Sequence, residues 1–105
     1  MKTTIAALMF TLASLHSHAA PTPAQCLSLY TLAKNYMKAR QHDMSLGYML
    51  ENAVENGVHT PMNKDILLRA YVAPLLNGED PNSVKEDFSV EIFGLCDELF
   101  LKHGI

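Results

Sequence analysis

The sequence predicts an all-α domain, a compact bundle of about four helices with one disulfide bond, and three observations support this. Apolar residues recur at three- and four-residue spacing in several segments, which is the period of an amphipathic helix. Helix-capping residues followed by proline or by a capping box stand before these segments. Turn formers such as Asn77-Gly78 separate them, and no segment alternates for long enough to predict a strand.

The segment 1–19 is predicted to be a secretory signal, which leaves a single helical domain over 20–105. Lys2 provides a positive start, an apolar run covers 5–15, and small residues precede the expected cleavage after Ala19. The run of about eleven apolar residues is shorter than the roughly twenty that a membrane span requires. We therefore expect no membrane insertion after the signal is cleaved.

Lipid anchoring through Cys26 is disfavoured by the residues before it. A lipoprotein signal has a large apolar residue three positions before the cysteine and a small residue directly before it, whereas this chain has Pro23 and Gln25 there. The expected location is therefore the periplasm or the extracellular medium, without an anchor.

Cys26 and Cys96 are predicted to form a structural disulfide. Both lie in the mature chain, and exported proteins fold in an oxidising compartment. No Cys-x-x-Cys motif and no nearby basic cluster indicates reactive thiols or metal ligands. Closing a loop of this length stabilises a fold by about 4 kcal/mol in the chain-entropy treatment.

The first helix is predicted to begin at Thr22 as N-cap, with Pro23 in its first turn and Gln25 completing a capping box. It is expected to end near Arg40, whose charge suits a helix C-terminus. Residues at helical spacing form its inward face: Cys26, Leu29, Tyr30, Ala33, Tyr36 and Met37.

The next two helices are bounded by equally clear signals. Ser45 is the expected cap of the second helix, and Gly57 is expected to end it in a Schellman motif. Thr60 and Pro61 begin the third helix, which Pro74 ends or kinks. The predicted inward sets are Leu46, Met49, Leu50, Ala53 and Val54 for the second helix, and Met62, Ile66, Leu67, Ala70 and Tyr71 for the third.

The last helix is predicted to begin at Asp80-Pro81 or at the capping box of Ser83 and Glu86, and to stop at Gly104. Because a disulfide would tie the start of the first helix to the late part of the last, these two helices should be neighbours. The inward face of the last helix is expected to contain Val84, Phe88, Ile92, Leu95, Cys96 and Leu99.

Composition and motifs argue against nucleic-acid binding and catalysis. The formal net charge is −3, and loss of Lys2 with the signal makes the domain more acidic, whereas nucleic acids attract basic surfaces. No Gly-x-Ser-x-Gly turn is present, and the pairs Glu79-Asp80 and Glu86-Asp87 suit the N-terminus of the last helix. We expect a non-enzymatic domain without a cofactor.

Metal binding is a weaker hypothesis. Exported copper carriers use methionine and histidine, and His42 and Met44 are close in sequence. The chain has no His-x-x-x-His motif and no methionine-rich tract, and Met49 and Met62 fall on inward faces as core residues. The sequence therefore predicts no metal site.

Several apolar residues fall off the inward faces, and two interpretations of them stand equally. Either the apolar stripes are wide, or part of this surface is exposed for a protein partner or a second copy. These residues are Leu27, Leu32, Leu68, Val72, Val90, Phe93, Phe100 and Leu101. The leading hypothesis is a protein-binding module with contacts at Tyr36, Met44, Phe93, Phe100 and Leu101.

From Cys26 onward, the order of features resembles the small exported helical proteins with a single disulfide that occur in Gram-negative bacteria. A cysteine opens a helix that closes in Ala39-Arg40, Ser45 caps the next, Ala70-Tyr71 precede the Pro74 break, and the last helix carries Cys96. The resemblance implies the fold and the compartment, but no activity.

The general plan is also similar to two periplasmic families, the acid-stress chaperones and the immunity proteins that block cell-wall amidases. Likeness to the first implies a holdase that loosens when its carboxylates are neutralised, and the eleven carboxylates here would neutralise in acid. Likeness to the second implies an inhibitor. Both stay open beside the general hypothesis of protein binding.

Overall fold

The described residues of the computed structural model, 20–75 and 78–103, contain five helices and no strand. The helices are α1 (Pro23–Gln41), α2 (Leu46–Glu55), α3 (Pro61–Val72), α4 (Pro81–Gly94) and α5 (Cys96–His103). This confirms the predicted all-α class. The predicted signal over 1–19 and the predicted stop at Gly104 lie outside the described residues.

Side chains cap the helices where the sequence predicts. The Thr22 hydroxyl accepts from the Gln25 amide at 3.1 Å, and the Gln25 side chain accepts from the Thr22 amide at 2.8 Å, which completes the capping box of α1. Of the two alternatives for α4, Asp80 is the cap, because its carboxylate accepts from the Ser83 amide at 3.2 Å. Local chemistry therefore fixes where these helices begin.

Helix α2 ends in the predicted Schellman motif. Gly57 has φ of 69°, a left-handed conformation that glycine adopts without a steric penalty. The Gly57 amide donates to the Val54 carbonyl at 3.2 Å, and the Val58 amide donates to the Ala53 carbonyl at 3.0 Å. These bonds satisfy the last carbonyls of α2 and turn the chain towards α3.

The single last helix of the prediction is in fact two helices, α4 and α5. The Leu95 amide donates to both the Glu91 and the Ile92 carbonyls at 3.1 Å, and the added three-residue bond tightens this turn. Gly94, a poor helix former, directly precedes the tightened turn. Helical bonding then resumes with the Leu99 amide donating to the Leu95 carbonyl at 2.9 Å.

Helices α1 and α4 run antiparallel, as contacts at both ends of the pair show. At one end, Cys26 and Cys96 form the predicted disulfide with their Cα atoms 5.5 Å apart. At the other end, the Gln41 side-chain amide donates to the Pro81 carbonyl at 3.0 Å. The first helix and the two-part last helix are therefore neighbours, as predicted.

The core lies between α1, α3, α4 and α5, while α2 covers one edge. Only Ala53 of α2 is buried, and Val54, which the sequence places inward, is exposed. The short α2 packs mainly on α3, so its apolar stripe is only partly covered. The buried cluster comprises Leu29, Ala33, Tyr36, Met37, Met62, Ile66, Leu67, Ala70, Phe88, Ile92, Cys96 and Leu99.

Candidate protein-binding surfaces

An apolar patch is exposed where α1 runs beside α4. The rings of Tyr30 and Phe93 meet edge to face, with centroids 6.4 Å apart and planes at 87°. Leu27 and Val90 each lie one helical turn from a ring of this pair, on the same side of their helices. The exposed fractions are 57% for Leu27, 54% for Val90 and 45% for Phe93. We call these four residues the Phe93 face.

Two charged groups hold the tyrosine ring of the Phe93 face in place. The Tyr30 hydroxyl donates to the Glu86 carboxylate, and the Lys34 ammonium lies 3.3 Å from a Glu86 oxygen and 4.8 Å from the ring centroid. The hydrogen bond from Tyr30, followed by that from Lys34, holds the pKa of Glu86 below its usual value. The patch is therefore bordered by a charge cluster that orients its ring.

The structure shows which of the off-stripe apolar residues are exposed. Leu32 and Phe100 are partly buried and pack against the core. Six of the eight are exposed, so wide stripes do not account for them; they are Leu27, Leu68, Val72, Val90, Phe93 and Leu101. The apolar surface of this domain exceeds what its core uses.

The residues predicted to contact a partner differ in their exposure to solvent. Phe93, Met44 and Leu101 are exposed, whereas Phe100 is half-buried. Tyr36 is 9% exposed and belongs to the core, so its proposed surface role is wrong. Its position on the inward stripe of α1 directs the ring into the bundle, and burial raises the pKa of its hydroxyl.

These residues do not form one surface. Met44 follows the C-terminal end of α1, whereas Phe93 lies against the half of α1 that carries the disulfide. Helical spacing predicts Tyr30 inward, and no local signal predicts its pairing with Phe93. The sequence does indicate Leu27 and Val90, because each is an apolar residue off the inward face of its helix.

A second feature, which we call the acidic cleft, lies along another edge of α4. Its floor is apolar and its rim carries three exposed carboxylates, those of Glu79, Asp87 and Glu91. The cleft has a volume of about 230 Å³. Its lining comprises Met37, Ala73, Pro74, Glu79, Val84, Asp87, Phe88 and Glu91.

The C-terminal end of α3 borders this cleft and already binds a guanidinium group. Arg40 of α1 donates to the Ala70 carbonyl at 2.7 Å and also to the Ala73 carbonyl. The last carbonyls of a helix carry partial negative charge and attract cations. Ala73 lines the cleft, and its carbonyl is already bonded to Arg40.

A third cluster, centred on Asp65, fastens α5 to α3. The Asp65 carboxylate accepts from Arg69 Nε at 2.8 Å and from Lys102 Nζ at 3.1 Å, and lies 2.9 Å from His103 Nε2. Partial burial pushes the pKa of Asp65 up, but the hydrogen bonds from Arg69, His103 and Lys102 outweigh it and hold the pKa well below 3.8. The ionised carboxylate therefore stabilises the folded state.

Changing Asp65 to asparagine is expected to lower the free energy of unfolding at pH 7 by about 2 kcal/mol, because charge-assisted hydrogen bonds to a partly buried carboxylate are lost. A lowered folded pKa gives stability that is present above the unfolded value of 3.8 and is lost as the pH falls below it. Urea denaturation of wild type and variant from pH 7 to pH 2 should therefore show a difference that shrinks below about pH 4. A constant difference, or an equal loss in the exposed control Asp97→Asn, would contradict this assignment.

Within residues 20–75 and 78–103, no three histidine, cysteine, aspartate or glutamate side chains are grouped so as to hold a metal ion. None of the helices there combines the length and apolar character needed to cross a bilayer.

Comparison with protein-family models, curated proteins and solved structures finds no match to this chain. Its function is therefore inferred from its own surfaces and charges.

Proposed function

We propose that this chain is an exported, non-enzymatic domain that binds another protein through the Phe93 face. The carrying observation is the exposed Phe93 ring, which packs on the half-buried ring of Tyr30 and is flanked by the exposed Leu27 and Val90. Aromatic residues are enriched in protein interfaces, and exposed apolar patches bordered by polar groups mark such surfaces. Covering these side chains would remove apolar area from water, which favours association.

The geometry around Tyr30 supports binding with a small ordering cost. The hydroxyl is bonded to Glu86, and Lys34 lies over the ring, so the side chain already has a defined position before a partner arrives. A preorganised contact loses less conformational entropy on association than a mobile one. The fixed ring would give the partner a rigid apolar surface beside the charged groups of Glu86 and Lys34.

Export is part of this proposal and is supported by the covalent structure. The Cys26–Cys96 bond suits an oxidising compartment such as the periplasm or the extracellular medium. The leader predicted over 1–19 would deliver the chain there. An interface at the Phe93 face would then form after export, once the disulfide has joined α1 to the α4–α5 junction.

Changing Phe93 to aspartate is expected to weaken partner binding about thirtyfold, the effect of losing an aromatic hot spot of about 2 kcal/mol. Val72→Asp is the matched control, because Val72 is 78% exposed and lies on α3, outside the Phe93 face. Native mass spectrometry of wild type and both variants, purified from the periplasm of the host, would show which complexes survive. Binding should then be measured with the partner identified in this way.

The controls for this experiment are specific to the surface. Circular dichroism should be the same for the three proteins, since both replaced side chains are exposed. Loss of the complex with Phe93→Asp alone supports the proposal. A wild-type domain that carries no partner or second copy, or equal losses with both variants, contradicts it.

A further inference from the structure

We propose that the acidic cleft is a second binding site, which takes a lysine or arginine side chain from a protein partner. The inference rests on the proposed function in one respect, that the ligand belongs to a protein. It adds a separate site and the chemical class of the group that enters it. The Phe93 face would supply apolar contact area, and the cleft would select for positive charge.

The floor of the cleft suits the aliphatic stem of a long basic side chain. Met37 and Phe88 are buried beneath it, and the half-buried Val84 lines it from α4. Lysine and arginine side chains pack their methylene groups on apolar surface while the charged head reaches polar groups. The volume of about 230 Å³ is below the range of pockets for drug-sized ligands and suits a single side chain.

The rim supplies the charge that such a head group requires. Glu79, Asp87 and Glu91 are exposed, and none forms an ion pair within the described ranges 20–75 and 78–103. A guanidinium or ammonium group presents several donors in different directions and can therefore bond to more than one of these carboxylates.

The C-terminal end of α3 provides an internal precedent for this ligand. The Arg40 guanidinium already donates to the carbonyls of Ala70 and Ala73, and Ala73 and Pro74 line the cleft. Because Arg40 neutralises this end of α3, the potential that would attract a second cation comes from the three rim carboxylates.

Many basic side chains are engaged in contacts within the described part of the domain, and most carboxylates are not. The remaining surface charge is therefore acidic, which favours a basic partner. Among the described residues, only Asp65 and Glu86 of the eleven carboxylates form ion pairs. Half of the eight lysine and arginine residues of the chain are held in internal contacts: Lys34, Arg40, Arg69 and Lys102. The resulting field would steer a basic segment towards the domain.

Titration with short peptides, followed by amide NMR shifts of the ¹⁵N-labelled oxidised domain, tests the site directly. The probe is acetyl-Leu-Arg-Leu-amide, and the matched neutral probe is acetyl-Leu-Gln-Leu-amide. We expect saturable shifts of the amides of Ala73, Asp87 and Glu91 with the arginine peptide, weakened by added salt. Equal shifts with the glutamine peptide, or no saturable shifts at these amides, would overturn the proposal.

Two double variants separate the cleft from general surface charge. Asp87→Asn with Glu91→Gln is expected to weaken the arginine peptide about tenfold, since two charge contacts are removed. The control, Glu51→Gln with Glu55→Gln, removes the same charge at the same spacing from α2 and should leave binding within about twofold. Equal weakening in both would show that net charge alone attracts the peptide, and would refute the site.

The titration also separates this inference from the proposed function. The Phe93→Asp domain should bind the arginine peptide as the wild type does, because Phe93 does not line the cleft. Peptide binding without any complex in the native mass spectra would refute the Phe93 face and retain the cleft. A complex in the native mass spectra without peptide binding would refute the cleft and retain the Phe93 face.

Discussion

Replacing Cys26 and Cys96 together with alanine is expected to lower the free energy of unfolding by about 4 kcal/mol. The bond closes a loop with a sequence separation of 70, so its loss restores a large conformational freedom to the unfolded chain. Cys96 is buried, so truncation to alanine also removes some packing. Since small domains are stable by about 5–15 kcal/mol, this is a large share of the total.

The measurement is urea denaturation of the oxidised wild type and the double variant, followed by circular dichroism. Reduction of the wild type provides a matched control, because it removes the bond and leaves the sequence unchanged. We expect reduced wild type and double variant to unfold at similar urea concentrations, and reductant to leave the variant unaffected. A loss below about 1 kcal/mol would contradict a stabilising role for the cross-link.

The features that the sequence predicts correctly are those that neighbouring residues determine. The cap at Thr22, the Schellman ending at Gly57 and the stop before Pro74 depend on residues a few positions apart. The disulfide is predicted despite its span because the chain has only two cysteines. The break at Leu95 is not predicted, because apolar residues continue at helical spacing across it.

The candidate surfaces are harder to predict, since they depend on contacts between distant segments. Tyr30 and Glu86 are 56 positions apart, and no local signal pairs them. Helical spacing places Tyr36 inward and Phe93 off the inward face, as the structure has them, but it does not predict that Phe93 packs on Tyr30. The acidic cleft combines residues of α1, α4 and the segments that follow α3 and precede α4, so it exists only after the helices have packed.

Changing Ile92 to alanine is expected to lower the free energy of unfolding by about 3 kcal/mol. Ile92 is 0% exposed and belongs to the buried cluster between α1, α3, α4 and α5. Truncation removes apolar area from the core and leaves a cavity that rigid neighbouring helices fill only in part. The disulfide one turn beyond, at Cys96, restricts the movement of α4 that could otherwise close the cavity.

Val90→Ala is the matched control, because Val90 lies two positions away on the same helix but faces solvent. It should change the free energy of unfolding by less than about 1 kcal/mol, since little buried area is lost. Urea denaturation of both oxidised variants measures the difference directly. Similar losses at the two positions would mean that α4 does not turn Ile92 inward, and that Val90 and the Phe93 face are not exposed as described. A large loss at Ile92 alone assigns the inner face of α4 to the core and leaves its Val90 side free to contact a partner.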